Sequence, residues 1–399
     1  MTSFFKAKKQ GLSLIGSIIV LSLLVVSCAG PTFQGWSGFA SSDGVLYFGG
    51  IDGRVYAISP TARSQNLTFP AQGEWVFNIP SFGAPGAVCG PACAPASAQV
   101  STYATPVVVG DLVCVGIYAG DKGKLVAIDK LAPGYTEGVP LRSKGEWTYP
   151  SGTKSIGAIV GTPVLVEGTI YTGTSDGKLY AIDPVYGEKK WEFDTGGKIW
   201  TSPAVEGGVV YISNYNRKLF AASRTDGTQI WQTELPSSIS SSPVVSGNNI
   251  YVGTFDNHLY AIDKTNGKEV WNFEGGNWFW PTPIVKDGAV YAGCLDNKLY
   301  AIDAGSGKEL WQFIADGPIV SEPVLTDSSV VIASKAGDIY VLDSGKGDLV
   351  KSIHIGFPVM APLFLEGNML YVHAGSLCVY GIDVVSGEKA WEFCYSSIE

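Results

Sequence analysis

The residues able to do chemistry in this 399-residue chain are few, and most of them come in series. Asp183, Asp263, Asp303, Asp343 and Asp383 stand 40 residues apart or at multiples of it, with Ser223 in the vacant slot. A catalytic carboxylate should stand out once or twice. One that recurs suits a turn, where it accepts backbone hydrogen bonds. Of the seven cysteines, Cys89 and Cys93 share a Gly/Pro/Ala-rich stretch from Gly83 to Ser97, while Cys378 and Cys394 flank a late hairpin. A metal site needs further ligands, and the three histidines, His258, His354 and His373, fall in different units. Both pairs therefore read as candidate disulfides. If Asp383 pairs with Lys389, Cys378 and Cys394 lie opposite each other. Cys114 and Cys294 read as buried apolar residues. The Gly-rich stretches have no helix behind them and so form no phosphate cradle. No catalytic, metal or cofactor constellation emerges, and the expectation is a protein that is not an enzyme.

What positions these residues is a repeat. Trp191, Trp231, Trp271, Trp311 and Trp391 lie on the same 40-residue period, as do Pro163, Pro203, Pro243, Pro283 and Pro323, with Pro362 one place early. A unit of this length cannot bury its own apolar face, so a strict period means stacked copies. The copy from Ser241 to Phe273 holds four short runs rich in Val, Ile, Tyr and Trp, parted by Asp256-Asn257 and Asn266-Gly267 turns. Four short antiparallel strands per unit make a propeller blade. Six copies begin at Gly157, Lys198, Ser238, Trp278, Pro318 and Pro358, and two stretched ones precede them. The fold class is therefore all-β: an eight-bladed β-propeller of four-stranded antiparallel blades over residues 36–399.

Leu299-Tyr300-Ala301-Ile302-Asp303, then Gly307-Lys308 and Trp311, resembles the tryptophan-docking motif of quinoprotein-type (PQQ-like repeat) propellers. The resemblance implies that the outer-strand Trp packs between adjacent blades. Many such propellers bind no quinone. The dehydrogenases among them are usually longer, and several carry a vicinal Cys pair that is missing here. No cofactor is expected; a PQQ-dependent dehydrogenase acting on alcohols or sugars is the alternative.

Lys6, Lys8 and Lys9 precede an apolar stretch from Gly11 to Val26 and then Ser27-Cys28. This is the pattern of a secretory signal over residues 1–27, with Cys28 matching the bacterial lipobox and residues 28–35 a short lipidated linker. Ala29 after the Cys resembles outer-membrane sorting. The expected location is lipid-anchored outside the cytoplasmic membrane: outer membrane facing the periplasm in a diderm, otherwise the outer face of the cytoplasmic membrane. Cleavage removes three lysines and no acid, taking the formal charge from −9 to −12. That charge argues against nucleic acid as a partner.

Function should lie where the copies differ. Three residues before the repeating Pro stand Tyr103, Val160, Trp200, Ser240, Trp280, Val320 and Val359, and one copy extends to Trp278-Phe279-Trp280. One residue before the Pro stand Thr105, Thr162, Ser202, Ser242 and Thr282, then Glu322 and Ala361. Tyr103, Trp200, Trp278, Phe279, Trp280 and Glu322 are the candidate partner-binding face, the rings as anchors and Glu322 setting orientation. The alternative is that the rings pack between blades and Glu322 is solvated. The expected partner is an envelope protein or an extended peptide segment. The whole also resembles the family of lipid-anchored outer-membrane assembly propellers, which implies a scaffold for β-barrel insertion and no chemistry.

Overall fold

The computed structural model describes residues 37–79, 100–130 and 146–397. The signal, the linker with Cys28, and the Cys89/Cys93 stretch lie outside them.

Eight four-stranded antiparallel sheets follow one another, each in simple sequence order. Blade one is Ala40–Ser42, Val45–Gly49, Arg54–Ile58 and Trp75–Asn78. Blade five, typical of the rest, is Val244–Ser246, Asn249–Gly253, His258–Asp263 and Glu269–Glu274. The middle strands are buried almost throughout, because both faces of a blade meet a neighbour. The outer strand alternates exposed residues with buried or half-buried ones.

The apolar residues sort into eight clusters, and every cluster draws on two adjacent blades. Tyr171 and Leu179 of blade three meet Val210 and Phe220 of blade four, for instance. The last cluster joins Phe48 and Tyr56 of blade one to Val379 and Phe393 of blade eight, so the ring is closed.

The tryptophan series bridges these gaps. The indole N–H groups of Trp191, Trp231, Trp271 and Trp311 donate to the carbonyls of Arg224, Lys264, Ala304 and Ser344 in the next blade, at 3.0 to 3.2 Å. Beneath each ring lies a glycine at positive φ. A Cβ on Gly307 (φ 73°) would stand 2.7 Å from Trp271 Cδ2. Trp191, Trp271 and Trp391 are buried, whereas Trp231 and Trp311 are only half-buried. The repeated aspartates hold the turn after the third strand. Asp263 Oδ1 accepts from the Thr265 and Asn266 amides, and Asp383 Oδ1 from those of Val385 and Ser386.

Cys378 and Cys394 face each other across the outer hairpin of blade eight and form a disulfide. The pairing expected of Asp383 with Lys389 is corrected, since Ile382 takes Lys389 and a β-bulge follows. The bulge restores the register at Gly381 and Trp391, which brings the cysteines together. Cys114 and Cys294 are buried free thiols, both pushed up to about 12 by burial.

Ring closure uses side chains found nowhere else in the repeat. His373 is fully buried between Ser37 O, 3.1 Å from Nδ1, and the Tyr395 hydroxyl, 2.7 Å from Nε2. That hydroxyl also accepts from the Ile51 amide at 3.4 Å. A neutral imidazole protonated on Nδ1 satisfies every partner: Ile51 to Tyr395, Tyr395 to Nε2, Nδ1 to Ser37. Burial accordingly lowers His373 to about 4. Alongside, Arg63 grips Glu74 through two hydrogen bonds of 2.9 and 2.7 Å, and its guanidinium lies over Phe393 of blade eight.

Candidate functional site

In several blades the chain enters the innermost strand through a short segment that bridges the start of the turn between the second and third strands. In blade five Ile239 bridges Thr254; in blades seven and eight the pairs are Ile319 with Ser334 and Val359 with Ala374. Extended backbone turns successive side chains to opposite sides. The bridging residues Ile239, Ile319 and Val359, and Ile159, Ile199 and Phe279 at the equivalent positions of blades three, four and six, are all buried. The next residue points out.

This alternation divides the candidate aromatics. Trp200, Trp278 and Trp280 are exposed to 40, 40 and 45%. Phe279 is buried, packing on Phe273 and Tyr300 at 6.3 and 5.8 Å between centroids, and does not belong to the face. It fills the place that isoleucine takes in the neighbouring blades. Val359 is likewise the buried bridging residue, so Met360, which is half-buried, stands where an outward residue was expected.

The structure adds residues that the loop pattern alone did not reveal. Tyr215 and Phe255, from the turns between the second and third strands of blades four and five, link the tryptophans into one ladder. Trp200 meets Tyr215 at 4.9 Å, Tyr215 meets Phe255 at 5.7 Å, and Phe255 meets Trp278 and Trp280 at 4.8 and 5.8 Å. The signal was present in the period, since Tyr215 and Phe255 are 40 residues apart. The corresponding turns of blades three, seven and eight offer Ser175, Lys335 and Gly375. Tyr103 is a separate element: its contact is Tyr118 of its own blade, at 5.1 Å, and burial pushes its phenol up to about 12.

Two residues further along each segment, just before the innermost strands begin at Val107, Val164, Ala204, Val244, Ile284 and Val324, lies a ring of mostly small polar side chains. The Thr105 amide donates to Thr162 Oγ1, the Thr162 amide to Ser202 Oγ, and the Ser202 amide to Ser242 Oγ, at 3.2, 2.9 and 2.9 Å. Thr282 Oγ1 then donates to Glu322 Oε1 at 2.6 Å. Pro362 and Gly38 complete the circuit, for a Cβ on Gly38 would lie 2.6 Å from Thr105 Oγ1 and 3.3 Å from Pro362 Cβ. Blade eight is thus in register with the repeat, and Pro362, not Ala361, stands where Glu322 does in blade seven. Glu322 is neither an exposed rim acid nor freely solvated. It is half-buried, and desolvation raises its carboxyl above the ordinary value.

A family model described as outer membrane protein assembly factor BamB matches residues 139–234, 176–314, 216–350 and 295–397. The chain belongs to this family of PQQ-like repeat β-propellers. Among solved structures, the fold is shared with a computationally designed protein, Ika8, at 16% identity and a TM-score of 0.66, over 86% of this chain and 93% of that one. BamB from Moraxella catarrhalis matches at 16% identity and a TM-score of 0.61, over 85 and 91% of the two chains. A quinohemoprotein alcohol dehydrogenase, ADHIIG of Pseudomonas putida HK5, matches at 16% and 0.51 over 59 and 60%. No curated protein sequence matches the chain.

Proposed function

We propose that this propeller is a non-catalytic scaffold of the cell envelope that holds a protein partner against the aromatic ladder of blades four to six, in outer-membrane β-barrel assembly or a related complex. The family supports the setting, because its description is that of an outer-membrane assembly factor. The observation that carries the surface is the ladder: three tryptophans, each at least 40% exposed, joined through Tyr215 and Phe255 on one face. Exposed apolar patches invite association, and large rigid aromatics are the side chains that anchor interfaces. In this reading Cys28 carries the lipid that keeps the ring at the membrane. No described helix is long and apolar enough to cross a bilayer.

The dehydrogenase alternative has one observation in its favour, the fold shared with the alcohol dehydrogenase. The residues at the axis fit it poorly. Calcium takes about six to eight oxygens, usually with several carboxylates, and the ring offers the single carboxyl of Glu322 among hydroxyls, a proline and a glycine.

The test is cross-linked co-purification from native membranes, comparing the wild type with Trp280→Ala. Barrel-assembly components should be captured by the wild type and weakened at least tenfold in the variant, about 1.4 kcal/mol, with thermal stability nearly unchanged. Capture that survives while the melting temperature drops would make Trp280 a packing residue. Dye-linked oxidation of an alcohol with added quinone and calcium would move the protein to the enzyme class.

A further inference from the structure

The ring beneath the ladder breaks its own rule at one position. Thr105, Thr162, Ser202, Ser242 and Thr282 are followed by Glu322, the one carboxylate in an otherwise neutral circuit. In every one of these segments the flanking residues are buried and the ring residue is half-open, so the circuit faces the space around the axis. The hydroxyls at 162, 202 and 242 are engaged by the amides of the preceding blade. Glu322 is held through Oε1 alone. Among the described residues its Oε2 has no hydrogen-bond partner, and no cationic side chain acts on the carboxyl. Lys286, the inner-strand lysine of blade six, directs its ammonium to the Thr326 and Asp327 carbonyls at 2.8 and 2.7 Å.

We propose that Glu322 and the surrounding hydroxyls form a receptor for one basic side chain, arginine or lysine, of an extended partner segment that lies on the ladder. The proposal rests on the docking reading above and specifies what the partner must carry. A half-buried carboxylate loses hydration without gaining a charge partner, and a guanidinium or ammonium supplies both the charge and the missing donor to Oε2. The ring's hydroxyl and carbonyl oxygens can accept the remaining N–H groups. Trp280 precedes Thr282, the hydroxyl partner of Glu322, by two residues, about 7 Å of extended chain, a gap that a long basic side chain can bridge. An aromatic beside that path also favours a cation over a neutral side chain. A basic anchor gives an acidic protein an orientation mark as well: the segment can lie only one way along the ladder with its cation over Glu322.

The experiment is calorimetry of the intact purified propeller with acetyl-Gly-Gly-Arg-Gly-Gly-amide, the same peptide with citrulline in place of arginine, spermidine, and calcium chloride. The arginine peptide should bind at least tenfold more tightly than its neutral citrulline twin, and Glu322→Gln should remove that difference. The citrulline comparison is made on the wild type, so it decides the matter even if the variant does not fold. Equal binding of the two peptides overturns the proposal, as does an arginine preference that survives Glu322→Gln. Saturable calcium or spermidine binding without the arginine preference overturns it too, in favour of a metal or polyamine site. Should Trp280→Ala lose capture while the peptides bind alike, the scaffold reading stands and this one falls.

Discussion

The contact between Trp271 and Gly307 can be tested as a pair. Trp271→Ala removes an indole that is only 8% exposed. Aromatic-to-alanine truncations in cores cost about 3–5 kcal/mol. The carbonyl it leaves, Ala304 O, still receives the Tyr251 hydroxyl at 3.1 Å, so no acceptor is orphaned and the loss should sit near about 3–4 kcal/mol. Gly307→Ala acts from the other side. Its φ of 73° costs a non-glycine residue about 1–2 kcal/mol. The new Cβ would also stand 2.7 and 2.9 Å from Cδ2 and Cγ of the indole, an overlap worth about 1–3 kcal/mol. With the indole gone the overlap vanishes and the methyl partly fills the cavity. The double variant should therefore fall short of the summed singles by about 1–3 kcal/mol. Urea unfolding followed by far-ultraviolet circular dichroism measures all four corners of the cycle. Additivity within about 0.5 kcal/mol would refute the stacking of ring on glycine, and with it the account of how the blades are joined.

Three further outcomes follow from the seam, the corrected aromatic and the disulfide. His373 is held at about 4 against an ordinary 6.5, so the stability gained from its neutral form is complete above 6.5 and is lost as pH falls toward 4. The loss should reach about 3 kcal/mol, and urea midpoints between pH 7.5 and 3.5 should show a slope that His373→Gln flattens. Phe279→Ala should cost about 3–5 kcal/mol in the same unfolding measurement yet leave partner capture intact, the reverse of Trp280→Ala. Replacing Cys378 and Cys394 by serine opens a link with a sequence separation of 16 and should cost about 3 kcal/mol by the chain-entropy relation; a midpoint unchanged by reduction would contradict it.

The parts of the architecture that repeat were legible in the sequence, since a residue type returning every 40 positions reports a place in the fold. Strand order, blade number and the aspartate turns all follow from that, whereas the facing of Cys378 and Cys394 follows from the hairpin register, which the bulge shifts only beyond Gly381. Phe279 has the size of an anchor but not the place of one. Its position, 40 residues after Ile239 and 40 before Ile319, marks it as gap-filling. Pro362 misled in a similar way: a proline one place early looks like a deletion, but it is a substitution at the place of Glu322. The ladder was half visible, because Tyr215 and Phe255 reach it from a different loop. The seam was not visible at all. Ser37, Ile51, His373 and Tyr395 meet once, across up to 344 residues of chain, and a contact made once leaves no period to read.

That seam also sets the order of events during biogenesis. The apolar side of blade one that carries Phe48 and Tyr56 finds its cover only in blade eight, when Phe393 and Tyr395 arrive. Seven blades can stack as they are made, each on the one before, while this surface waits. Closing so distant a contact is entropically slow, and an uncovered aromatic surface beside open strand edges is a site for misassembly in the interval. A chain delivered from one end therefore spends its maturation as an open crescent with one sticky terminal blade, and a holding chaperone that prefers aromatic strands would find its client there and lose it when the circle shuts.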